Sequence, residues 1–129
     1  MSKITQKLGQ LFMLDFRYWG EDSNGKPIAF TKSNQTVCEL FKKYNLGGFI
    51  LFKENIENNQ QTISLLRELQ ASIDTPLFFG TDQEGGRVHR LKQGTSGCGN
   101  MAITATNNPT NAYTMSKLIG DELYSLGIN

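Results

Sequence analysis

The sequence has little of several residue types. Two cysteines, one histidine, one tryptophan and three prolines occur among 129 residues. Cys38 and Cys98 lie far apart and match no metal-ligand spacing. Cys38 falls in an amphipathic helical pattern, so it reads as a buried free thiol rather than half of a disulfide. An excess of one charge is also missing: 13 Lys and Arg against 12 Asp and Glu leave +1 at pH 7. That balance gives no electrostatic footprint for nucleic acid or an anionic membrane, and points to a small or neutral partner. No stretch approaches the roughly 20 apolar residues of a membrane span. The opening "SKITQKLGQL" lacks the basic start and apolar run of a secretory signal. The expectation is a soluble, cytoplasmic chain in a reducing compartment. Repeats and low-complexity tracts are absent too.

What is present alternates regularly. Residues 3–10 predict a short helix, and Leu11 to Phe16 a strand. "GEDSNGKPIAFT" is polar and rich in turn formers, and predicts a loop. From Ser33, the spacing of Val37, Leu40, Phe41 and Tyr44 predicts a helix capped by Ser33 or Asn34 and stopped by Asn45 and Gly47–Gly48. "GFILF", Gly48 to Phe52, is too short for a helix and reads as a strand buried on both faces. A second helix carries Ile63, Leu66, Leu69 and Ile73, and "PLFFGT" then predicts another buried strand. A glycine-rich loop spans Gly94–Gly99. A last helix runs from about Pro109 to Leu126, with Ala112, Met115, Ile119, Leu123 and Leu126 in register and Gly127 ending it.

The order β-α-β-α-β-loop-α implies right-handed βαβ units and a parallel sheet. A doubly wound sheet and part of a (β/α)₈ barrel fit this pattern equally. The chain closes on "LGIN", a helix end followed by the first residues of another strand. Three open strands would leave pairing edges uncovered, and a whole barrel takes about 250 residues. The expectation is a truncated α/β domain, the front of a larger one.

Chemistry concentrates in "FFGTDQEGGRVHRL", Phe78 to Leu91. The C-terminal ends of parallel strands are where ligands bind. Asp82 and Glu84 stand there two residues apart, on one face if the strand continues. They could be a glycosidase pair or metal ligands. Against the first, Arg87 and Arg90 would hold both carboxylates ionised, whereas a general acid needs a raised pKa. Against the second, no further oxygen ligands converge, so no metal or other cofactor is called for. Two readings remain open on physics alone. One is a hydrogen-bonding clamp in which Asp82 accepts from ligand hydroxyls, Arg90 donates and Gly85–Gly86 turn tightly beside the ligand. The other is a salt-bridge cluster closing the strand end. His89 reads as a surface or packing residue. On the same rim, Asp15, Arg17 and Trp19 could line a sugar site, with burial of Trp19 in its loop as the alternative. Lys53, Glu54 and Asn55 could border a ligand. Gly47 and Gly48 serve the helix-to-strand turn.

Five ordered blocks carry a resemblance: "KLGQLFMLDFR", "YNLGGFILFKENI", "PLFFGTDQEGGRVHRL", "GNMAI" and "ELYSLGIN". Together they resemble the N-terminal barrel of glycoside hydrolase family 3, with its β-N-acetylhexosaminidase branch as the nearest match. "DFRYW" resembles the Gram-positive members of that branch. The resemblance covers nearly the whole chain, read as one incomplete domain over residues 1–129. It implies a (β/α)₈-type barrel that hydrolyses terminal β-linked N-acetylglucosamine, often from cell-wall fragments, with retention. It implies that Asp82 is a sugar-hydroxyl ligand and not the nucleophile, and that Arg90 binds the same sugar, which selects the clamp. Glu84 would be a structural partner of neighbouring backbone or arginines, and His89 receives no catalytic role.

The family's acid/base histidine lies downstream in a lysine-histidine-phenylalanine-proline-glycine-type loop, and its aspartate nucleophile later still. Neither stretch occurs in these 129 residues. Gly97-Cys98 also replaces an apolar residue and proline common in relatives. The expectation is therefore an enzyme fragment that holds part of the sugar site and turns over nothing alone. A stand-alone carbohydrate-binding or regulatory module and a half-barrel that self-associates through its sheet edges are the competing readings.

Overall fold

The computed structural model describes residues 3–129. Its elements are α1 (Lys3–Gly9), β1 (Met13–Leu14), β2 (Tyr18–Glu21), β3 (Pro27–Ala29), α2 (Gln35–Tyr44), β4 (Gly48–Leu51), a 3₁₀ turn (Lys53–Asn55), α3 (Asn59–Ala71), β5 (Phe78–Thr81), α4 (Asn100–Ala105) and α5 (Pro109–Ser125). Three strands form a parallel sheet in the order β1-β4-β5, while β2 and β3 make a separate antiparallel hairpin. Met13 pairs with Gly48, and Gly48 with Phe78, so the C-terminal ends of all three parallel strands point to one rim.

Local chemistry explains the helix boundaries. Asn34 caps α2 by accepting from the Val37 N–H at 2.9 Å. Asn45 ends it in the left-handed region at φ 50°, which asparagine tolerates. The next turn demands glycine: a Cβ on Gly47 would lie 1.9 Å from the Gln10 carbonyl oxygen. Asn58 and Asn108 cap α3 and α5 through their side chains.

Phe49, Leu51 and Phe79 share one sheet face and pack with Val37 and Phe41 of α2 and Leu65, Leu66 and Leu69 of α3. Leu126 and Ile128, just past α5, complete the same cluster. Helices thus cover one face of the sheet, as in a barrel wall, whereas a doubly wound sheet is covered on both. On the other face Met13 leans over Gly48 and Gly80. The expectation that the last strand is buried on both faces fails here, because Phe78, on that second face, is 65% exposed.

Other expectations also needed correction. The polar segment after Trp19 is no simple loop but the β2–β3 hairpin. Asp22 closes it, its side chain accepting from the N–H groups of Asn24 and Lys26 at 2.8 and 2.9 Å. The first strand shortens to Met13–Leu14 because Leu11 and Phe12 turn instead, donating their N–H groups to the Leu8 and Gly9 carbonyls. Helix α4 had no expected counterpart. Within α5 the apolar stripe is buried only at Ile119, with Met115 and Leu123 half-buried and Ala112 exposed. Both cysteines are free thiols, Cys38 half-buried beside the Ser33 hydroxyl and Cys98 exposed.

Sheet edges are not entirely open. The Asn129 N–H donates to the Phe79 carbonyl at 3.1 Å, and its side chain accepts from the Phe79 N–H at 3.0 Å. That residue lies along β5 as a strand partner would.

Candidate functional site

Each parallel strand delivers charge to the common rim. After β1, the Arg17 Nε donates to the Asp15 carboxylate at 3.2 Å. After β4 comes Phe52, whose ring centroid lies 3.6 Å below the Arg17 guanidinium carbon and 5.6 Å from that of Arg90. After β5 comes Asp82, 3.8 Å from the Arg90 Nη2. Phe52 therefore joins two acid–arginine pairs from opposite sides of the sheet, through cation–π contacts. The Asp82–Arg90 separation is an ion pair without a hydrogen bond, and the side chains are 50% and 21% exposed. The Arg90 guanidinium makes no hydrogen bond to any described residue, and its buried Nε has no partner. Donor capacity on Arg90 and acceptor capacity on Asp82 stand side by side, unused.

The motif segment is braced from behind. Gly85 and Gly86 adopt φ values of 73° and 58°, open to glycine at little cost. The Gly86 N–H donates to the Gly97 carbonyl at 2.8 Å, and a Cβ on Gly85 would sit 3.1 Å from the Gly97 Cα. Gly97, the departure noted in the sequence, fits this close approach. The second loop is held in turn by Glu122 of α5, whose carboxylate accepts from the Thr95 hydroxyl and from the Thr95 N–H at 2.8 Å. The hydroxyl bond first, then the backbone bond, hold the Glu122 carboxyl below the usual carboxylate range, against a small burial cost.

The structure separates the two motif carboxylates. Glu84 is exposed and borders a cleft with Asn100, Ile103 and Met115, away from Arg90. Of the partners expected for Glu84, backbone or arginines, the structure shows the backbone: its N–H donates to the Val88 carbonyl, while among the described residues its carboxylate forms no ion pair. Arg87 is exposed and likewise has no acidic partner among them. His89 is half-buried with its Nδ1 2.9 Å from the Gln83 amide nitrogen, in keeping with a packing role. Trp19 lies on the hairpin and packs edge-on against Phe16 at 5.7 Å. Lys53 is exposed, whereas Asn55 is fully buried. Its side chain accepts from the Phe52 N–H and donates to the Phe16 and Phe30 carbonyls, each at 2.9 Å. No cluster of three or more potential metal ligands occurs among the described residues.

Sequence reasoning passed over Gln83 and Phe52. Gln83 was hidden between two carboxylates, and its role depends on folding back over seven residues to Arg90. Phe52 closes the apolar run Gly48–Phe52 in the sequence and so reads as part of a buried strand. Its position just past the core residues Phe49 and Leu51, at a strand's C-terminal end, is the available signal.

The chain as a whole has known relatives. The family described as "Glycosyl hydrolase family 3 N terminal domain" matches residues 3–129. The chain belongs to glycosyl hydrolase family 3. A β-hexosaminidase A of Pseudoalteromonas piscicida is 44% identical over 97% of the chain, and a β-hexosaminidase of Haemophilus influenzae 34% identical over 77%. The solved structure of a family 3 β-N-acetylglucosaminidase from a Paenibacillus species superposes over the whole chain with TM-score 0.82 and 35% identity. The chain spans only 23%, 27% and 23% of these three proteins, respectively. The parallel α/β fold thus corresponds to the barrel-like N-terminal domain of family 3 structures.

Proposed function

We propose that this family 3 chain supplies the sugar-binding rim of a β-N-acetylhexosaminidase that hydrolyses terminal β-linked N-acetylglucosamine with retention. Asp82 accepts hydrogen bonds from the sugar hydroxyls, and Arg90 donates to the same ring. The observation that carries this reading is the Asp82–Arg90 pair itself: 3.8 Å apart, partly exposed, at the rim of three parallel strands, with no hydrogen bond between them. A salt-bridge cluster would close that gap and satisfy the guanidinium. The enzymes named above support the substrate class. The narrower link to Gram-positive members has support in the Paenibacillus enzyme, while the higher identity is to the Pseudoalteromonas protein.

A retaining glycosidase places two catalytic groups about 5–5.5 Å apart across the scissile bond. Asp82 is engaged toward Arg90 while Glu84 borders a different cleft, so these carboxylates do not form such a pair. On this reading the chain contributes sugar contacts and not the catalytic pair.

Titration of the chain with N-acetylglucosamine, followed by amide NMR, tests the clamp. Shifts should centre on Asp82–Leu91, and both Asp82→Ala and Arg90→Ala should weaken binding at least about tenfold, the loss of a charge-assisted hydrogen bond. Unchanged affinity in both variants would remove the clamp. Hydrolysis of p-nitrophenyl-β-N-acetylglucosaminide by the chain alone, abolished in Asp82→Ala, would show that the motif supplies catalysis as well.

A further inference from the structure

Behind the clamp, one neutral amide has all its roles assigned by its neighbours. The Gln83 Oε1 accepts from the Arg90 N–H at 2.6 Å and from the Leu91 N–H at 3.4 Å. Backbone N–H groups only donate, so the oxygen of this amide must face them and its NH₂ group must face the other way. There the Nε2 lies 2.9 Å from the His89 Nδ1. An amide NH₂ also only donates, so Nδ1 must accept and the ring proton must reside on Nε2. Leu91, 1% exposed, anchors the far end of the segment in the core.

Arg90 has few other restraints. Asp82 approaches it without a hydrogen bond, and the Phe52 ring gives a contact that tolerates sliding. Among the described residues, the bond from its N–H to Gln83 is the hydrogen bond that ties Arg90 back to the end of β5.

We propose that Gln83 is the positioning residue of the Asp82–Arg90 pair, holding the Arg90 backbone on one side and the Nε2–H form of neutral His89 on the other. The consequence for sugar binding rests on the clamp reading; the hydrogen-bond pattern does not. Gln83 touches no sugar and acts through Arg90. Two substitutions separate its two sides. In Gln83→Leu, the Arg90 N–H loses its acceptor and His89 loses its tautomeric instruction. In Gln83→Glu, an acceptor for Arg90 remains, but the imidazole now faces a second acceptor. Its Nδ1 then carries a proton, facing the new carboxylate oxygen.

The experiment is NMR on the ¹⁵N-labelled 129-residue chain, reading the ring nitrogens of its single histidine, the exchange rate of the Arg90 amide and the affinity for N-acetylglucosamine. Wild type should show an unprotonated Nδ1 at neutral to basic pH. Gln83→Glu should show Nδ1 protonated while keeping Arg90 protection and sugar affinity within about threefold. Gln83→Leu should mix tautomers, speed Arg90 exchange and weaken sugar binding, each by about tenfold, the equivalent of one net hydrogen bond. A protonated Nδ1 in the wild type would overturn the proposal, as would full Arg90 protection in Gln83→Leu. If Gln83→Leu does not fold, the wild-type ring and Gln83→Glu still decide. If the wild type binds no N-acetylglucosamine, the sugar reading fails, and the ring and amide still decide whether Gln83 holds Arg90.

Discussion

Replacing Asn55 with alanine probes how the rim is built. Asn55 is fully buried, and its amide makes three 2.9 Å hydrogen bonds: from the Phe52 N–H, to the Phe16 carbonyl and to the Phe30 carbonyl. The first fixes the turn that presents Phe52, and the other two fasten both ends of the hairpin segment to it. A typical hydrogen bond contributes about 1 kcal/mol net, and a buried group left unpaired costs about 1–3 kcal/mol. Loss of all three therefore costs about 3–5 kcal/mol in Asn55→Ala, the upper value if no water enters the space. Set against a typical domain stability of about 5–15 kcal/mol, that is a large fraction. Asn55→Asp keeps an acceptor for Phe52 but replaces both donations with a buried charge facing two carbonyls, and should be no better than alanine. Urea unfolding followed by the fluorescence of Trp19, which packs on Phe16, measures the effect. The midpoint should fall with little change in slope. A loss below about 1 kcal/mol would show that the three bonds do not act as a structural joint, and would refute the reasoning.

Two further substitutions test the scaffold. Gly47→Ala forces a Cβ to within 1.9 Å of the Gln10 carbonyl and should cost about 3 kcal/mol or more, whereas Gly120→Ala in α5, with open space around it, should stabilise by about 0.5–1 kcal/mol; equal effects in thermal melts would contradict the packing described. Glu122→Gln removes a carboxylate whose folded-state pKa is lowered, so its contribution is present above the unfolded carboxylate value and lost as pH falls through the folded one. The variant should be less stable than wild type near neutral pH and converge with it in acid; a stability gap that persists or widens in acid would disprove the assignment.

Helical periodicity made α2 and α3 legible and short apolar runs made β4 and β5 legible, because each contributes side chains to the shared core, β5 through Phe79 alone. The hairpin escaped because every β2 residue is exposed, leaving no alternation of apolar and polar positions to read. Its signal was local instead, in the Asp22-Ser23-Asn24-Gly25 turn. Helix α4 buries no side chain and carried no stripe. At the site, Asp82 and Arg90 could be placed at a strand end from the sequence, yet their role as a pair came from family resemblance. Asn55 was unreadable for a different reason: its partner Phe16 lies 39 residues away, a relation that only folding creates. The charges of Glu84 and Arg87 were easy to see and misleading, since solvent, rather than each other, surrounds them.

The strand order has a kinetic consequence. Chain order and spatial order agree, so Met13 finds Gly48 and Gly48 finds Phe78 in two successive steps of similar length. Each step closes a loop of a few tens of residues, for which the entropy penalty grows only slowly with length. The central strand β4 can serve as the template for both neighbours, and neither flanking pairing must wait for the other. The rim behaves differently. Arg17, Phe52 and Arg90 come from three strand ends, so their stack exists only after both pairings are made. During refolding, sheet formation should precede ligand binding, and competence to hold a sugar should be the last property to return.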